Sequence, residues 1–221
     1  MTLLSDLDPD VAYPATPTVP ESGLHSLARF VVYGALRAFY AGRAGCYVGE
    51  DRNIYWRRGD GTAVVAPDVF VSLGVDLEPL ATATSYRVWE VGAPPAFVLE
   101  IASEKTFKAD LETKPAKYLD MGVGEYWRFD PTGGEFLQPA LQGDRRAGNT
   151  WQPITINTDD HGHLGGHSET LDLTLHADAH RLRFRNPRTG EWLPDPDEQA
   201  ARADRVEAEL AALRRRLDPH H

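Results

Sequence analysis

The feature that most constrains this chain is an acid placed inside an apolar strand within residues 98–131. The run 97–99 (FVL) leads directly to Glu100, and Ile101 follows it, so the sequence predicts burial on both sides of the carboxylate. A lone buried carboxylate costs several kcal/mol or becomes neutral, so Glu100 requires a cation nearby. The strand must therefore end where a positive group can reach it.

A short polar turn is predicted after the strand, and then a segment of helical spacing supplies that group. Lys114 and Tyr118 lie four positions apart and so share one helix face, and Lys114 or Lys117 can turn back toward the acid. Pro115 is tolerated in a first helical turn but not in a helix interior. The helix is therefore predicted to begin near residues 111–113, which places Lys114 in its first turn.

The chain then returns to the sheet. Gly122 or Gly124 can end the helix, and EYWRFDP reads as a second strand closed by a proline turn. The stretch as a whole predicts a strand–helix–strand unit with reactive groups gathered at one edge of a sheet.

A second acid, Asp68, lies in the apolar run VAPDVFV. Taken alone, such an aspartate is more often a turn or edge residue than a ligand, and Pro67 favours an edge position or a local bulge. Asp68 and Glu100 can nevertheless end on adjacent strands and share a divalent ion. Mg²⁺ suits oxygen ligands and retains the waters that a hydrolase needs.

The rest of the chain divides into an extended arm (residues 1–20), a body (21–194) and a charged C-terminal helix (195–221). The body begins with a helix capped by Ser22 and ended by Gly42, continues through strands up to residue 73, and closes with a meander of short strands after Pro131. The first helix is predicted to bury an apolar stripe of Leu24, Leu27, Phe30, Val31, Leu36 and Phe39.

The C-terminal helix carries a narrow apolar stripe on an otherwise charged surface: Ala203, Val206, Leu210, Leu213 and Leu217. This spacing is typical of a coiled-coil surface that pairs two copies into a homodimer, or of a helix docked on the body, and about two heptads do not separate these alternatives.

Composition narrows the class of function. The formal net charge of −10 counts against a protein that coats nucleic acid, but not against an enzyme that engages DNA through a metal-loaded cleft. The chain contains no run of about 18 apolar residues, so no membrane span is predicted. The acidic N-terminus lacks an export signal, and Cys46 is the only cysteine, so a cytoplasmic location is expected.

Two other clusters have simpler interpretations. The run HGHLGGH has metal-ligand spacing, but its glycines are typical of an exposed hairpin loop. Arginines alternate along residues 181–188, which predicts a basic strand face that contacts phosphate or, more simply, solvent.

Together, the P-D dipeptide at Asp68, the strand-end Glu100 and the nearby lysine resemble the PD-(D/E)XK nuclease superfamily. The runs APDVFVSLGV, SYRVWEVGAPPAFVLEIASEKT and DLETKPAKYLDMGVGEYWRFDP resemble the Uma2 family, whose members are proposed to be endonucleases and were long catalogued as a domain of unknown function. The similarity extends through ETLDLTL and RNPRTGEWL to the C-terminal helix. It implies an α/β restriction-endonuclease-like core: a central mixed sheet flanked by helices.

The resemblance also implies site residues. Asp68 and Glu100 would bind Mg²⁺, with Mn²⁺ as a substitute, and Lys114 would replace the usual lysine two places after the acid, where Ala102 stands. Glu21 and His25 match an N-terminal helix pattern in which such an acid assists the metal site. The expected activity is hydrolysis of phosphodiester bonds in DNA. The alternatives are a catalytically inactive nuclease-fold protein that binds partners and a hydrolase of other phosphoesters.

Overall fold

The computed structural model describes residues 23–217, with side chains up to residue 214. The predicted arm of residues 1–20, the cap Ser22 and the candidate Glu21 lie outside the described residues.

The described residues form five α-helices and one 3-10 turn. Their bounds are Gly23–Tyr40 (α1), Val88–Val91 (α2), Phe107–Glu112 (α3), Lys114–Met121 (α4) and Pro196–Leu217 (α5), with the 3-10 turn at Pro79–Ala81.

Thirteen strands are formed within residues 23–217. Their bounds are Cys46–Glu50 (β1), Ile54–Tyr55 (β2), Val64–Val65 (β3), Val69–Leu73 (β4), Tyr86–Arg87 (β5), Phe97–Ile101 (β6), Glu125–Phe129 (β7), Leu141–Ala147 (β8), Thr150–Pro153 (β9), Ile156–Thr158 (β10), Leu164–Ser168 (β11), Leu173–Ala177 (β12) and Leu182–Arg185 (β13).

The main sheet is mixed and has the strand order β1-β4-β6-β7-β8-β9. Its parallel pair is β6 with β7, joined by the crossover through α3 and α4, and its other neighbours are antiparallel. Short strands follow Pro131 as predicted, but β8 and β9 join the main sheet, and β10–β13 form a separate four-stranded antiparallel meander. The predicted loop HGHLGGH is wrong in its second half, because Leu164–Ser168 pairs with β10 and β12 as β11. A third, small sheet has the order β3-β2-β5. The observed architecture is thus the expected α/β class: a mixed sheet, flanking helices and a C-terminal helix.

The main sheet separates two hydrophobic cores. Leu99 and Trp127 face the core that includes α1 and the meander, whereas Val98 and Tyr126 face the core beneath α4. This division follows from the strand, in which successive side chains point to opposite faces.

The face that α1 buries differs from the predicted one. His25, Ala28, Val32 and Leu36 are buried. By contrast, Leu24, Leu27 and Phe30 are 48%, 60% and 55% exposed. The prediction holds for Leu36 but is wrong for Leu24, Leu27 and Phe30, because it followed the largest apolar residues, whereas the small side chain of Ala28 belongs to the buried face.

Pro67 lies between two sheets. β3 before it belongs to the small sheet, and β4 after it pairs with both β1 and β6. The predicted edge position is therefore wrong for β4, which is internal. Pro67, which has no backbone N–H to donate, lies instead where the chain passes from one sheet to the other.

The predicted helix that carries Lys114 is confirmed in its main features as α4. Lys114 is the first residue of α4, Pro115 lies in its first turn, and Gly122 ends it with φ of 95°. The structure adds α3, which the sequence analysis treated as a polar turn. Among the described residues, no helix combines the length and apolarity needed to cross a bilayer.

Candidate active site

Side chains along β6 alternate between the two faces of the sheet, and this alternation places Glu100 in the candidate site. It shares the sheet face of Val98, beneath α4, and its relative exposure is 0%. Its neighbour on β7 is Arg128, in the parallel register Glu100↔Arg128. A carboxylate is therefore held inside a packed interface, as the flanking sequence predicted.

Asp68 is joined to Glu100 through the backbone of both strands. The ladder between β4 and β6 ends at Val69↔Leu99. Just beyond it, the Ile101 backbone N–H donates to Asp68 Oδ2 at 2.7 Å, and the Asp68 backbone N–H donates to Glu100 Oε2 at 3.3 Å. The two predicted metal ligands thus lie side by side because each carboxylate accepts a backbone N–H from the strand carrying the other.

Lys114 reaches this pair from α4. Its Nζ lies 2.8 Å from Glu100 Oε2 and 2.8 Å from Asp110 Oδ1. Asp68, Glu100 and Lys114, which come from three separate segments, therefore form one cluster.

Asp110 is the member that the sequence analysis missed. It lies on α3, is 1% exposed, and forms an i,i+4 pair with Lys114 across the break between α3 and α4. The available signal was the spacing in DLETK, since residues four apart on a helical segment meet. It was missed because the segment before residue 111 was interpreted as a polar turn.

Tyr118 and His25 complete the contacts of the two acids. The Tyr118 hydroxyl donates to Glu100 Oε1, and Tyr118 is fully buried. His25 Nε2 lies 3.1 Å from Asp68 Oδ1. Lys117 points elsewhere, because its Nζ donates to the Val64 carbonyl at 3.0 Å.

The environment separates the pKa values of the acids. Burial raises the pKa of Glu100 well above its ordinary value, and burial also raises the pKa of Asp110. Burial acts in the same direction on Asp68, but the hydrogen bond and charge of His25 and the charge of Lys114 hold its pKa below the ordinary value. Asp68 is therefore the carboxylate that stays ionised most readily.

The lysine is held in its charged form. Burial alone would lower the pKa of Lys114, but the carboxylates of Glu100, Asp110 and Asp68 raise it above its ordinary value. An ammonium held in this way donates hydrogen bonds and offsets negative charge, and it does not accept a proton near neutral pH.

The cluster opens onto a cleft of about 360 Å³. Asp68 and Lys114 line it, and Lys105 and Lys117 add basic groups to its wall. Further polar lining comes from the side chains of Asn53, Ser103, Thr106 and Thr113. These donors suit phosphate oxygens, although the chain as a whole is acidic.

The donor set suits a hard divalent ion. Among the described residues, no group of three or more His, Cys, Asp or Glu side chains is arranged to bind a metal. Mg²⁺, however, is usually bound through one or two carboxylates and retained waters, so Asp68 and Glu100 are sufficient. The cluster also places three carboxyl groups around the single ammonium of Lys114, and a divalent ion would favour the ionised form of Glu100, whose pKa burial raises.

The other two clusters have structural roles in the described part of the chain. His161 and His163 lie in the exposed turn before β11, where Asp159 accepts both of their backbone N–H groups. Arg181 and Arg183 pair with Asp195 and Glu198 at the start of α5. The arginine face predicted for phosphate or solvent therefore anchors a helix.

Comparison with known proteins gives a family model, Uma2, described as "putative restriction endonuclease", which matches residues 15–178. Comparison with curated proteins finds no relative. A solved structure of a putative nuclease from Anabaena variabilis is 13% identical, with a TM-score of 0.46, over 64% of this chain and 74% of that one. The family match spans most of the chain and contains Asp68, Glu100, Asp110 and Lys114. The chain belongs to the Uma2 family.

Proposed function

We propose that this protein is a Mg²⁺-dependent endonuclease that hydrolyses phosphodiester bonds in DNA. The observation that carries the proposal is the shared cluster in which Asp68 and Glu100 are joined by backbone hydrogen bonds and Lys114 Nζ lies 2.8 Å from Glu100. The family description, restriction endonuclease, supports a nuclease and favours DNA as the substrate.

Asp68 and Glu100 would hold the metal. Mg²⁺ bound there supplies Lewis-acid stabilisation for the negative charge that develops on the phosphate. Asp68, with its lowered pKa, is the ready ligand, and His25 holds the orientation of that carboxylate through its contact with Oδ1. Mn²⁺ is expected to substitute, since it prefers the same oxygen ligands.

Lys114 would act on the phosphate as a fixed positive charge. Because its pKa is raised, its role is to donate hydrogen bonds and stabilise charge rather than to remove a proton. Asp110 binds the same ammonium as Glu100 and so would help to keep it at the wall of the cleft. The cleft lysines, Lys105 and Lys117, would bind the nucleic acid backbone.

We propose that Glu21 assists the metal site. This proposal rests only on the resemblance to the Uma2 family, because Glu21 lies outside the described residues. We also propose a cytoplasmic location, as the single cysteine and the acidic N-terminus led us to expect; cell fractionation would test it. Besides nucleic acid, a second copy of the chain is a proposed partner, through the exposed stripe of α5.

The direct test incubates the purified protein with plasmid DNA, single-stranded DNA and RNA in Mg²⁺ or Mn²⁺. We expect cleavage of plasmid DNA that is abolished by EDTA and by Asp68→Ala, Glu100→Ala or Lys114→Ala. Glu112→Gln and Lys108→Ala are matched controls, because both residues are exposed on the neighbouring helix. Full activity in Asp68→Ala would refute the assignment of the site.

Calorimetry with Mg²⁺ separates this proposal from an inactive scaffold. Binding that disappears in Asp68→Ala and Glu100→Ala supports a metal-dependent enzyme. A protein that neither binds the ion nor cuts any of the three nucleic acids would instead be the partner-binding alternative, and cleavage of a small phosphodiester alone would indicate a different phosphoester hydrolase.

A further inference from the structure

The C-terminal helix is firmly fixed at its start. Asp195 caps it: the Glu198 backbone N–H donates to Asp195 Oδ1 at 2.8 Å, and the Asp195 N–H donates to Glu198 Oε2 at 3.0 Å, the reciprocal bonds of a capping box. Arg181, just before β13, and Arg183 on β13 bind these two acids, and Gln199 reaches the Gly34 carbonyl of α1. The direction in which α5 leaves the body is therefore set.

Beyond this anchored turn the helix leaves the surface of the protein. Every residue from 200 to 214 is exposed, which excludes the predicted alternative of a helix docked along the body. The apolar stripe is exposed with it, since Val206, Leu210 and Leu213 are 63%, 46% and 53% exposed. A single amphipathic helix of this length is marginally stable in water, and a partner along the stripe would stabilise it.

We propose that the occupant of this stripe is α5 of a second copy of the chain, packed antiparallel. In heptad terms, Ala203 and Leu210 occupy a positions and Val206 and Leu213 occupy d positions. Antiparallel packing with Val206 opposite Leu210 of the partner gives four apolar layers, because Ala203 then lies opposite Leu213.

The charges that flank the stripe are complementary in this arrangement. At the e positions, Glu207 of one copy lies beside Arg214 of the other. At the g positions, Arg202 lies beside Glu209. Two-fold symmetry repeats each pair, so the interface has four attractive contacts.

A parallel pair would also match charges, with Arg202 beside Glu207 and Glu209 beside Arg214, but it is disfavoured on two grounds. It would bring the arginine runs 214–216 of both copies together, and it would place two bodies of net charge −10 at the same end. Antiparallel packing separates both sets of like charges and aligns the helix dipoles favourably.

The helix itself favours a second copy over a nucleic acid or a membrane. Its residues 196–217 contain as many acidic as basic side chains, with Asp197, Glu198, Asp204, Glu207 and Glu209 balancing the five arginines. A polyanion would meet no net attraction along most of its length.

The test measures the mass of the full chain by light scattering across a range of concentrations. We expect a dimer at high concentration, twice the 24.5 kDa of one chain, that dissociates on dilution. Leu210→Glu with Leu213→Glu should yield a monomer at every concentration, and its unfolding midpoint should equal that of the parent chain at concentrations where the parent is also a monomer, because both side chains are exposed in one copy. Ala208→Glu, on the opposite helix face, is the matched control and should remain dimeric.

Charge reversal then decides the orientation. Glu207→Arg weakens the dimer in either arrangement. Adding Arg214→Glu should restore it if the helices are antiparallel, whereas rescue by Arg202→Glu instead would overturn the antiparallel arrangement. A monomer at every concentration would overturn the proposal. Binding of a DNA duplex or of anionic vesicles to a monomer would also overturn it, if Leu210→Glu abolishes that binding.

Discussion

Two glutamates on neighbouring strands of the main sheet are equally buried but are held very differently. Glu100 on β6 and Glu125 on β7 both have a relative exposure of 0%. Glu125 accepts from Ser168 Oγ at 2.6 Å, Trp127 Nε1 at 3.0 Å and the Thr170 N–H at 3.2 Å, with Arg145 Nε at 3.4 Å. The groups that donate to Glu125 lie on both the main sheet and the meander, so Glu125 joins the two sheets.

Glu100 instead shares its surroundings with other acids. Burial is the main cause of its raised pKa; the charge of Lys114 lowers that pKa, and the charges of Asp110 and Asp68 raise it. The comparison teaches that burial of a carboxylate is not itself a sign of function. What distinguishes the candidate site is a group of three acids around one lysine beside a cleft, whereas Glu125 accepts hydrogen bonds that hold two sheets together.

The largest expected effect is on activity. Glu100→Gln should lower the rate of DNA cleavage by about 10³-fold, since a group that stabilises the transition state is lost. It should change the free energy of unfolding in EDTA by less than about 1 kcal/mol, because the Tyr118 hydroxyl can turn to accept from the new amide and the repulsion from Asp68 and Asp110 is relieved. Cleavage kinetics and urea unfolding would measure both. Retained activity would remove the contrast between the two glutamates.

The reverse pattern is expected for Glu125→Gln. Its amide group would face the donors of Ser168 and Trp127, which should cost about 2–3 kcal/mol of stability while the folded protein keeps its cleavage rate. Glu169→Gln is the control, because Glu169 pairs with the same Arg145 but its side chain is 65% exposed, and we expect a cost below about 0.5 kcal/mol. Equal costs for the two variants in urea unfolding would contradict the structural role of Glu125.

A smaller effect on catalysis should follow from Asp110→Asn. The carboxylate holds Lys114 without being a proposed metal ligand, so cleavage should fall about 10- to 100-fold. Mg²⁺ affinity by calorimetry should fall less than it does in Glu100→Gln. Equal losses of affinity would make Asp110 a metal ligand and would enlarge the proposed site.

The smallest effect is expected for Asp130, a second buried acid with a structural role. Asp130, just after β7, is fully buried and accepts from the Thr132 hydroxyl and the backbone N–H groups of Thr132, Phe136 and Leu137. Burial would raise its pKa, but these bonds hold it below the ordinary value of 3.8. Its stabilising effect is therefore present above pH 3.8 and is lost as the pH falls through the lower, folded-state pKa.

Asp130→Asn should accordingly cost about 1–2 kcal/mol at neutral pH, and the difference from the parent chain should shrink below pH 3.8. Urea midpoints measured along this pH series would check it. A difference that persists in acid would mean that packing, rather than the charge, explains the loss.

Local sequence was enough to predict that Glu100 lies on a strand, that Lys114 lies in a first helical turn, that β7 returns to the sheet and that short strands follow Pro131. These follow from local rules: period-two burial, the tolerance of proline in a first helical turn, and glycine at a helix end. The resemblance of the same runs to Uma2 proteins is confirmed by the family match over residues 15–178.

Which side chains contact one another depends on the tertiary structure. The sequence did not indicate that Asp110 is buried, or that α1 turns His25 and Ala28 inward and leaves Leu27 outside, because burial depends on what packs against a helix. It also left open whether α5 docks on the body. The contact between Asp68 and Glu100 depends on the pairing of β4 with β6, a register set by the whole sheet rather than by either segment.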